Sequence, residues 1–94
     1  MHMAPEVLNR KPYTSKVDVW STCIVLYGLL FGEMPFEGDT DQKITHNIIK
    51  SEINYERSYW KNISPEAVDF FKLGLIKDPK KRPNCHFMLN HPWL

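Results

Sequence analysis

Residues 17–32 read VDVWSTCIVLYGLLFG, and this stretch decides the fold. Its apolar side chains cover nearly every direction around a helical wheel, and such a helix is normally enclosed by protein. Ile, Val and aromatic residues also favour strands, so a pair of buried strands is the alternative. The length of the run favours a helix, which begins at Ser15 or Lys16 and ends at Phe31. Gly32 suits its C-terminal cap.

Shorter helices are predicted on both sides of this central helix. Proline at a first helical position and Ser, Thr, Asp or Asn at an N-cap mark where they begin. Pro12 and Pro79 mark where two of them end. The predicted ranges are residue 5 to residues 9–11, 41–50 capped by Asp39 or Thr40, 64 to about 77, and 85–89 capped by Asn84. Residues 51–62 lack a clear period and are predicted to be loop, so the fold class is all-α with helices packed around one central apolar helix.

Composition restricts the possible functions. Ninety-four residues form one domain at most, and a net charge of +1 argues against nucleic acid as a partner. The central apolar run is shorter than the roughly 20 residues of a membrane span, and we expect neither a span nor a signal peptide. Two cysteines, Cys23 and Cys85, form no disulfide framework and favour a reduced, intracellular compartment, the cytoplasm in particular.

The chain contains five short motifs. They are Ala4-Pro5-Glu6, Asp18-x-Trp20-Ser21, Gly32-x-x-Pro35-Phe36, Arg82, and His91-Pro92-Trp93. In this order they resemble the C-terminal part of the large lobe of a eukaryotic Ser/Thr protein kinase, so residues 1–94 are interpreted as a partial kinase domain. Residues 38–42, Trp60 and residues 64–67 resemble the calcium/calmodulin-dependent group, and the calcium-dependent protein kinases most of all.

The resemblance implies structural roles for individual residues. Glu6 is expected to form a largely buried ion pair with Arg82, whose planar guanidinium holds a carboxylate through two bonds. Asp18 is expected to anchor the catalytic loop of the family, or to act alone as a first-turn acid in this chain. Met3 and Ala4 are expected in the pocket for the substrate residue after the phosphorylated one. Met1 and His2 stand where the family often has Tyr, at the floor of that pocket.

The resemblance also implies a docking surface and one departure from the family. Ile44 and Ile48 lie on a helix that kinases often use to dock other proteins. Cys23 replaces the Gly that the family usually has one turn into the central helix, and this enlargement is expected to affect packing nearby. Because the central helix is too apolar for so few covering helices, the isolated chain is expected to self-associate or to be loosely packed, with faces of Trp20, Tyr27 or Leu30 lacking their normal neighbours.

The motifs that perform phosphoryl transfer are missing from these 94 residues. The sequence contains no Gly-x-Gly and no His-Arg-Asp, and Asp69-Phe70-Phe71 lies mid-helix without the Gly of the metal-binding motif. Cys85, His86 and His91 lack a fourth zinc ligand. We therefore expect no catalytic residue, no cofactor and no metal in this chain, whereas ATP and Mg are implied for its parent.

Two functional readings remain open at this point. The first is a piece of an active Ser/Thr kinase that phosphorylates protein substrates and carries a calcium-sensor domain in cis. The second is a pseudokinase or a non-catalytic helical module that docks other proteins. Residues that precede Ala4 in the full reading frame distinguish these readings, because a catalytic Asp and a metal-binding Asp belong only to the first.

Overall fold

The computed structural model describes residues 3–94, and they contain helices and no strand, which confirms the all-α class. The α-helices are α1 (Pro5–Leu8), α2 (Lys16–Phe31), α3 (Asp41–Lys50), α4 (Pro65–Gly74) and α5 (Cys85–Leu89). A 3-10 helix, Ser58–Asn62, lies between α3 and α4. No helix within this part of the chain is both long and apolar enough to cross a membrane. The predicted place of Met1 and His2 lies outside the described residues.

Side-chain caps explain where three of these helices begin. Thr40, Ser64 and Asn84 precede α3, α4 and α5, and each side-chain oxygen accepts a hydrogen bond from the backbone N–H three residues later. The three donor–acceptor distances are 3.1, 3.2 and 2.9 Å. Such caps satisfy N–H groups that have no partner within the helix. At the other end of α2, Gly32 takes a φ of 72°, the left-handed conformation that glycine adopts without strain.

Two boundaries differ from the sequence-based prediction. The segment predicted to be loop contains the 3-10 helix, which places Trp60 in the core at 4 % exposure. Helix α4 ends at Gly74 rather than near Lys77, because the Leu75 N–H still bonds to Phe71 O, whereas the Ile76 N–H bonds to Leu73 O, only three residues back, at 3.4 Å. The backbone carbonyls of Ile76 and Lys77 lie beyond the end of α4 and accept hydrogen bonds from the Arg82 side chain in the next loop.

Helix α2 forms the centre of the core, and α4 and α5 pack against it. Trp20 and Tyr27 are 0 % and 2 % exposed, so the expectation that they lack neighbours in the isolated chain was wrong. Trp20 stacks on Phe36, and the ring of Tyr27 meets the edge of Trp60. The loop that follows α2 and the 3-10 helix provide this cover, and the burial of Trp60 agrees with its expected role in holding residues 51–62 against the rest of the chain.

A different face of α2 is uncovered. Val25, Leu29 and Leu30 are exposed by 45 %, 77 % and 46 %, so this helix is not enclosed on every side within residues 3–94. The expectation about Leu30 therefore agrees with the structure, unlike those about Trp20 and Tyr27. Self-association of the chain through such a face stays a prediction.

Cys23 meets α4 at a glycine. A Cβ atom added at Gly74 would overlap the Cys23 Sγ atom, and it would also lie 3.3 Å from the terminal methyl of Met88. The thiol is 1 % exposed and fills the space that a side chain on α4 would otherwise occupy. The enlargement at Cys23 is therefore accommodated by the absence of a side chain at Gly74, and α2 and α4 approach closely at this point.

Candidate functional site

The ion pair between Glu6 and Arg82 joins the first helix to the loop before the last one. Arg82 Nη1 donates to Glu6 Oε2 at 2.8 Å, and Nη2 donates to Glu6 Oε1 at 2.9 Å. The side chain of Arg82 is 0 % exposed, and that of Glu6 is 3 % exposed. The structure thus contains the buried, two-bond ion pair that the resemblance implies, across 76 residues of chain.

The remaining donors of Arg82 bind the backbone. Nε donates to Ile76 O at 2.8 Å, Nη1 also donates to Lys16 O at 3.1 Å, and Nη2 also donates to Lys77 O at 3.2 Å. A guanidinium has five N–H donors, and all of them are used here. The guanidinium carbon also lies 5.2 Å from the centre of the Trp20 ring. Arg82 therefore links α1, the start of α2 and the segment that follows α4.

The electrostatics of Glu6 follow from this geometry. Burial by itself raises the pKa of a carboxyl group, because it disfavours the charged form. The hydrogen bonds from Arg82 and from the Glu6 backbone outweigh burial, and they hold the Glu6 pKa below its ordinary value of 4.5. Glu6 is therefore ionised in the folded protein at neutral pH.

This lowered pKa predicts how stability depends on pH. A carboxyl group whose pKa falls on folding stabilises the folded state fully above its unfolded pKa, here 4.5, and that contribution is lost as pH falls through the folded pKa. We expect wild type to lose more free energy of unfolding than Glu6→Gln between about pH 6 and about pH 3. Urea unfolding at a series of pH values checks this, and a difference between the two proteins that stays constant with pH would contradict it.

A shallow cleft lies between α1 and the start of α2. It has a volume of about 320 Å³, and its lining includes Met3, Ala4 and Asp18, the residues assigned to the substrate pocket and to the catalytic-loop anchor. Met3 is 54 % exposed, whereas Ala4 is 1 % exposed and forms the base of α1. The structure therefore brings together three residues that the sequence assigned to neighbouring functions.

Other residues of the cleft were missed in the sequence. They are Val7, Tyr13, Val17 and Ser21. Val17 and Ser21 are one turn apart on α2 and therefore share one face of the helix, close to Asp18. Helical spacing in the sequence could have predicted both. Tyr13 lies in the loop between α1 and α2 and is 62 % exposed, and no period or motif marks it.

Asp18 lies in the first turn of α2 and is exposed. Within residues 3–94 no side chain or backbone N–H donates a hydrogen bond to its carboxylate, while its backbone carbonyl accepts one from the Ser21 hydroxyl at 3.3 Å. An acid in a first turn is stabilised by the helix dipole. The carboxylate is therefore open toward the cleft, and in this chain Asp18 acts as a first-turn acid.

The assignment of a docking surface to Ile44 and Ile48 needs correction. Ile48 is 2 % exposed and belongs to the core, and Ile44 is partly buried against the same core. The apolar face of α3 is thus turned toward the core, and α1 also packs against this helix. A protein that approached α3 would therefore not contact the Ile48 side chain.

The cysteine and the two histidines near the end of the chain lie in different environments. His91 is 6 % exposed, its Nε2 bonds to Asp69 Oδ2 at 2.7 Å, and its Nδ1 accepts a hydrogen bond from the Trp93 N–H at 3.1 Å. Cys85 and His86 are exposed. Within residues 3–94 no group of three or more His, Cys, Asp or Glu side chains is placed to hold a metal ion. Phe70 and Phe71 are buried, which confirms their interpretation as core residues.

The two cysteines are predicted to differ in reactivity. Burial raises the pKa of the Cys23 thiol to about 12, whereas Cys85 is exposed. The thiolate is the reactive form, so iodoacetamide at about pH 8 is expected to modify Cys85 and to leave Cys23 unmodified. Mass spectrometry of peptides before and after unfolding in urea checks this, with Cys85→Ser as the control that takes no label in its native state. Equal labelling of both thiols in the native protein would contradict the burial of Cys23.

Comparison with known proteins agrees with this geometry. The family description "Protein kinase domain" matches residues 1–94. The chain is 42 % identical over 93 residues to calcium/calmodulin-dependent protein kinase type 1 of Caenorhabditis briggsae, covering 99 % of this chain and 26 % of that protein. It is 45 % identical to calcium-dependent protein kinase 20 of Oryza sativa subsp. japonica, and 44 % identical to myosin light chain kinase A of Dictyostelium discoideum, each over 93 residues and 99 % of this chain.

These relatives confirm the predicted calcium/calmodulin-dependent and calcium-dependent kinase group. The chain spans 17 % of the rice relative and 32 % of the Dictyostelium relative, so each of them contains much more sequence than is described here. Since the match to the family covers every residue and agrees with the all-helical fold and the buried Glu6–Arg82 pair, the chain belongs to the protein kinase domain family.

Proposed function

We propose that this chain forms the peptide-substrate side of the large lobe of a Ser/Thr protein kinase, whose whole protein transfers phosphate from ATP to Ser or Thr of other proteins. The observation that supports the proposal is the single cleft that Met3, Ala4 and Asp18 share beside α1 and α2. In this arrangement the cleft receives the substrate residue that follows the phosphorylated one, and the open Asp18 carboxylate accepts hydrogen bonds from a catalytic loop.

The residues of this chain do not fit an ATP site. Phosphoryl transfer needs a Gly-rich loop, a lysine on a strand, a catalytic Asp and metal-binding Asn and Asp side chains, and the 94 residues contain none of these motifs. We therefore assign no step of the transfer itself to these side chains. They position substrate and hold the large lobe together, while ATP and Mg bind to residues that other parts of a whole kinase contribute. A calcium-sensor domain in cis is the corresponding proposal for regulation.

The cleft is tested in the full reading frame through Tyr13, which is exposed and lines it. Tyr13→Lys places a positive charge at the cleft, so kcat/KM for a peptide with an apolar residue after the target Ser is expected to fall by about tenfold relative to one with Glu there. Asn54→Lys adds the same charge at an exposed position outside the cleft and is the matched control. An unchanged preference in Tyr13→Lys would overturn the assignment of the cleft.

The chain alone is expected to be inactive. Purified residues 1–94, incubated with ATP, Mg and a Ser-containing peptide, should transfer no phosphate above the level without protein, because the motifs for transfer are missing from this sequence. The same assay with the full reading frame distinguishes an active kinase from a pseudokinase or docking module. Activity of the short chain, or inactivity of the full reading frame, would overturn the proposal.

A further inference from the structure

A second groove lies on the opposite side of α1 from the substrate cleft. It is formed by α1, the start of the following loop, α3 and the segment after α4, and it has a volume of about 580 Å³. Its apolar lining comes from Pro5, Pro12, Ile49 and Pro79. Its cationic lining comes from Lys11, Lys77 and Lys80. Ile49 follows the buried Ile48 on α3 but is only partly buried, so its side chain remains available to contact a molecule in the groove.

The positive charges of the groove outnumber the negative charges of its lining. Glu6 also lines the groove, but both of its carboxylate oxygens bind Arg82. Asp78 also lines the groove, and its Oδ1 atom accepts a hydrogen bond from the Lys80 backbone N–H at 2.9 Å, so one negative charge stands against the three lysines. Within residues 3–94, Lys11, Lys77 and Lys80 form no ion pair with a carboxylate. The groove therefore presents an excess of positive charge beside an apolar floor.

Lys77 is the most constrained of these cations. Its Nζ donates to Ile48 O at 2.7 Å and lies 4.3 Å from the centre of the Phe36 ring. An ammonium group has three donors, so donors remain for a further partner. Burial lowers the Lys77 pKa, and the charge of Glu52 acts in the opposite direction without restoring it. A carboxylate that entered the groove would stabilise the charged form of this half-buried lysine.

We propose that this groove docks a segment of a partner protein in which apolar side chains are flanked by acidic residues. The apolar side chains pack on Ile49 and the three prolines, and the acidic residues face the lysines. Complementary charge of this kind raises association rates and selects partners, while buried apolar contact provides affinity. The docking needs only the folded lobe, so it does not depend on the phosphoryl transfer proposed above.

Fluorescence anisotropy with the full-length protein tests this inference. The probe is a fluorescein-labelled peptide, Asp-Glu-Leu-Leu-Asp-Glu, and its neutral counterpart is Asn-Gln-Leu-Leu-Asn-Gln. We expect the acidic peptide to bind at least about tenfold more tightly at low salt, with the difference shrinking as salt screens the lysines. Equal binding of the two peptides would overturn the role of charge.

Paired variants locate the binding site. Lys11→Gln with Lys80→Gln is expected to weaken the acidic peptide by about threefold to tenfold, because two exposed ion pairs are lost. Lys43→Gln with Lys61→Gln removes the same charge from exposed positions outside the groove and should leave binding unchanged. Ile49→Ala should weaken both peptides by about tenfold, through the apolar contact alone. Equal losses in the two lysine pairs would overturn the assignment to this groove.

Two further measurements exclude other occupants. Inorganic phosphate at millimolar concentration should not displace the acidic peptide, and displacement would identify a simple anion site instead. Sedimentation of the protein without peptide should be the same for wild type and for Lys11→Gln with Lys80→Gln. Self-association that only wild type shows would identify a second copy of the chain as the occupant and overturn the proposal.

Discussion

Replacing Arg82 with Met is expected to lower the free energy of unfolding by about 3–5 kcal/mol, the largest loss for any single substitution considered in this chain. The substitution leaves the Glu6 carboxylate buried at 3 % side-chain exposure without its cation. It also leaves the carbonyls of Lys16, Ile76 and Lys77 without the donors that they have in wild type. Arg82→Lys is expected to recover only part of the loss, because an ammonium cannot make two parallel bonds to a carboxylate.

Urea unfolding followed by tryptophan fluorescence measures this loss. The matched control is Arg57→Met, since Arg57 Nη1 also lies 2.8 Å from a carboxylate oxygen, that of Glu33. Those two side chains are 53 % and 37 % exposed, and solvent screens such a pair, so its loss should scarcely move the urea midpoint. Similar midpoints for the Arg82 and Arg57 variants would contradict the importance of burial.

Replacing Gly74 with Ala is expected to lower the free energy of unfolding by about 1–3 kcal/mol, the usual cost of forcing an extra methyl group into a packed core. The added Cβ would overlap the Cys23 Sγ atom, and both atoms belong to helices that pack against each other. Cys23→Ala removes that sulfur, so the double variant Cys23→Ala with Gly74→Ala should be more stable than Gly74→Ala alone. Thermal and urea unfolding of the three variants measures this coupling.

Gly28→Ala is the matched control, because Gly28 also lies within a helix. A Cβ atom there would approach only the Met34 sulfur, at 3.3 Å, and that side chain is flexible. Alanine favours helix over glycine by about 1 kcal/mol, so this variant should equal or exceed wild type in stability. If Gly74→Ala and Gly28→Ala change the free energy of unfolding equally, the overlap with the Cys23 sulfur is not the cause of the loss in Gly74→Ala.

Local signals in the sequence predicted most of the helices. Thr40, Ser64 and Asn84 are short-range caps whose partners lie three residues away, so their effect is visible in the sequence itself. The sequence placed the end of α4 about three residues too late, because the segment after Gly74 leaves the α-helical pattern and its Ile76 and Lys77 carbonyls accept hydrogen bonds from the distant Arg82 side chain instead. A contact of this kind has no local pattern.

The candidate site shows the same division between local and distant causes. The resemblance placed Met3, Ala4 and Asp18 near the substrate, and the structure brings them to one cleft. It also placed Ile48 on a docking surface, although helical spacing reveals only that Ile44 and Ile48 share a face and not which element covers that face. Here α3 turns this face toward the core, and the neighbouring Ile49 lines a groove instead.

The Glu6–Arg82 pair connects the helix beside the substrate cleft with the loop before the last helix, so it is the central link of this fold. A double-mutant cycle with Glu6→Gln, Arg82→Met and their combination tests it most directly, since the cycle isolates the energy that the two side chains share. We predict a favourable coupling of at least about 2 kcal/mol at neutral pH, with the double variant losing much less stability than the sum of the single variants. Losses that simply add, with a coupling near zero, would contradict the account.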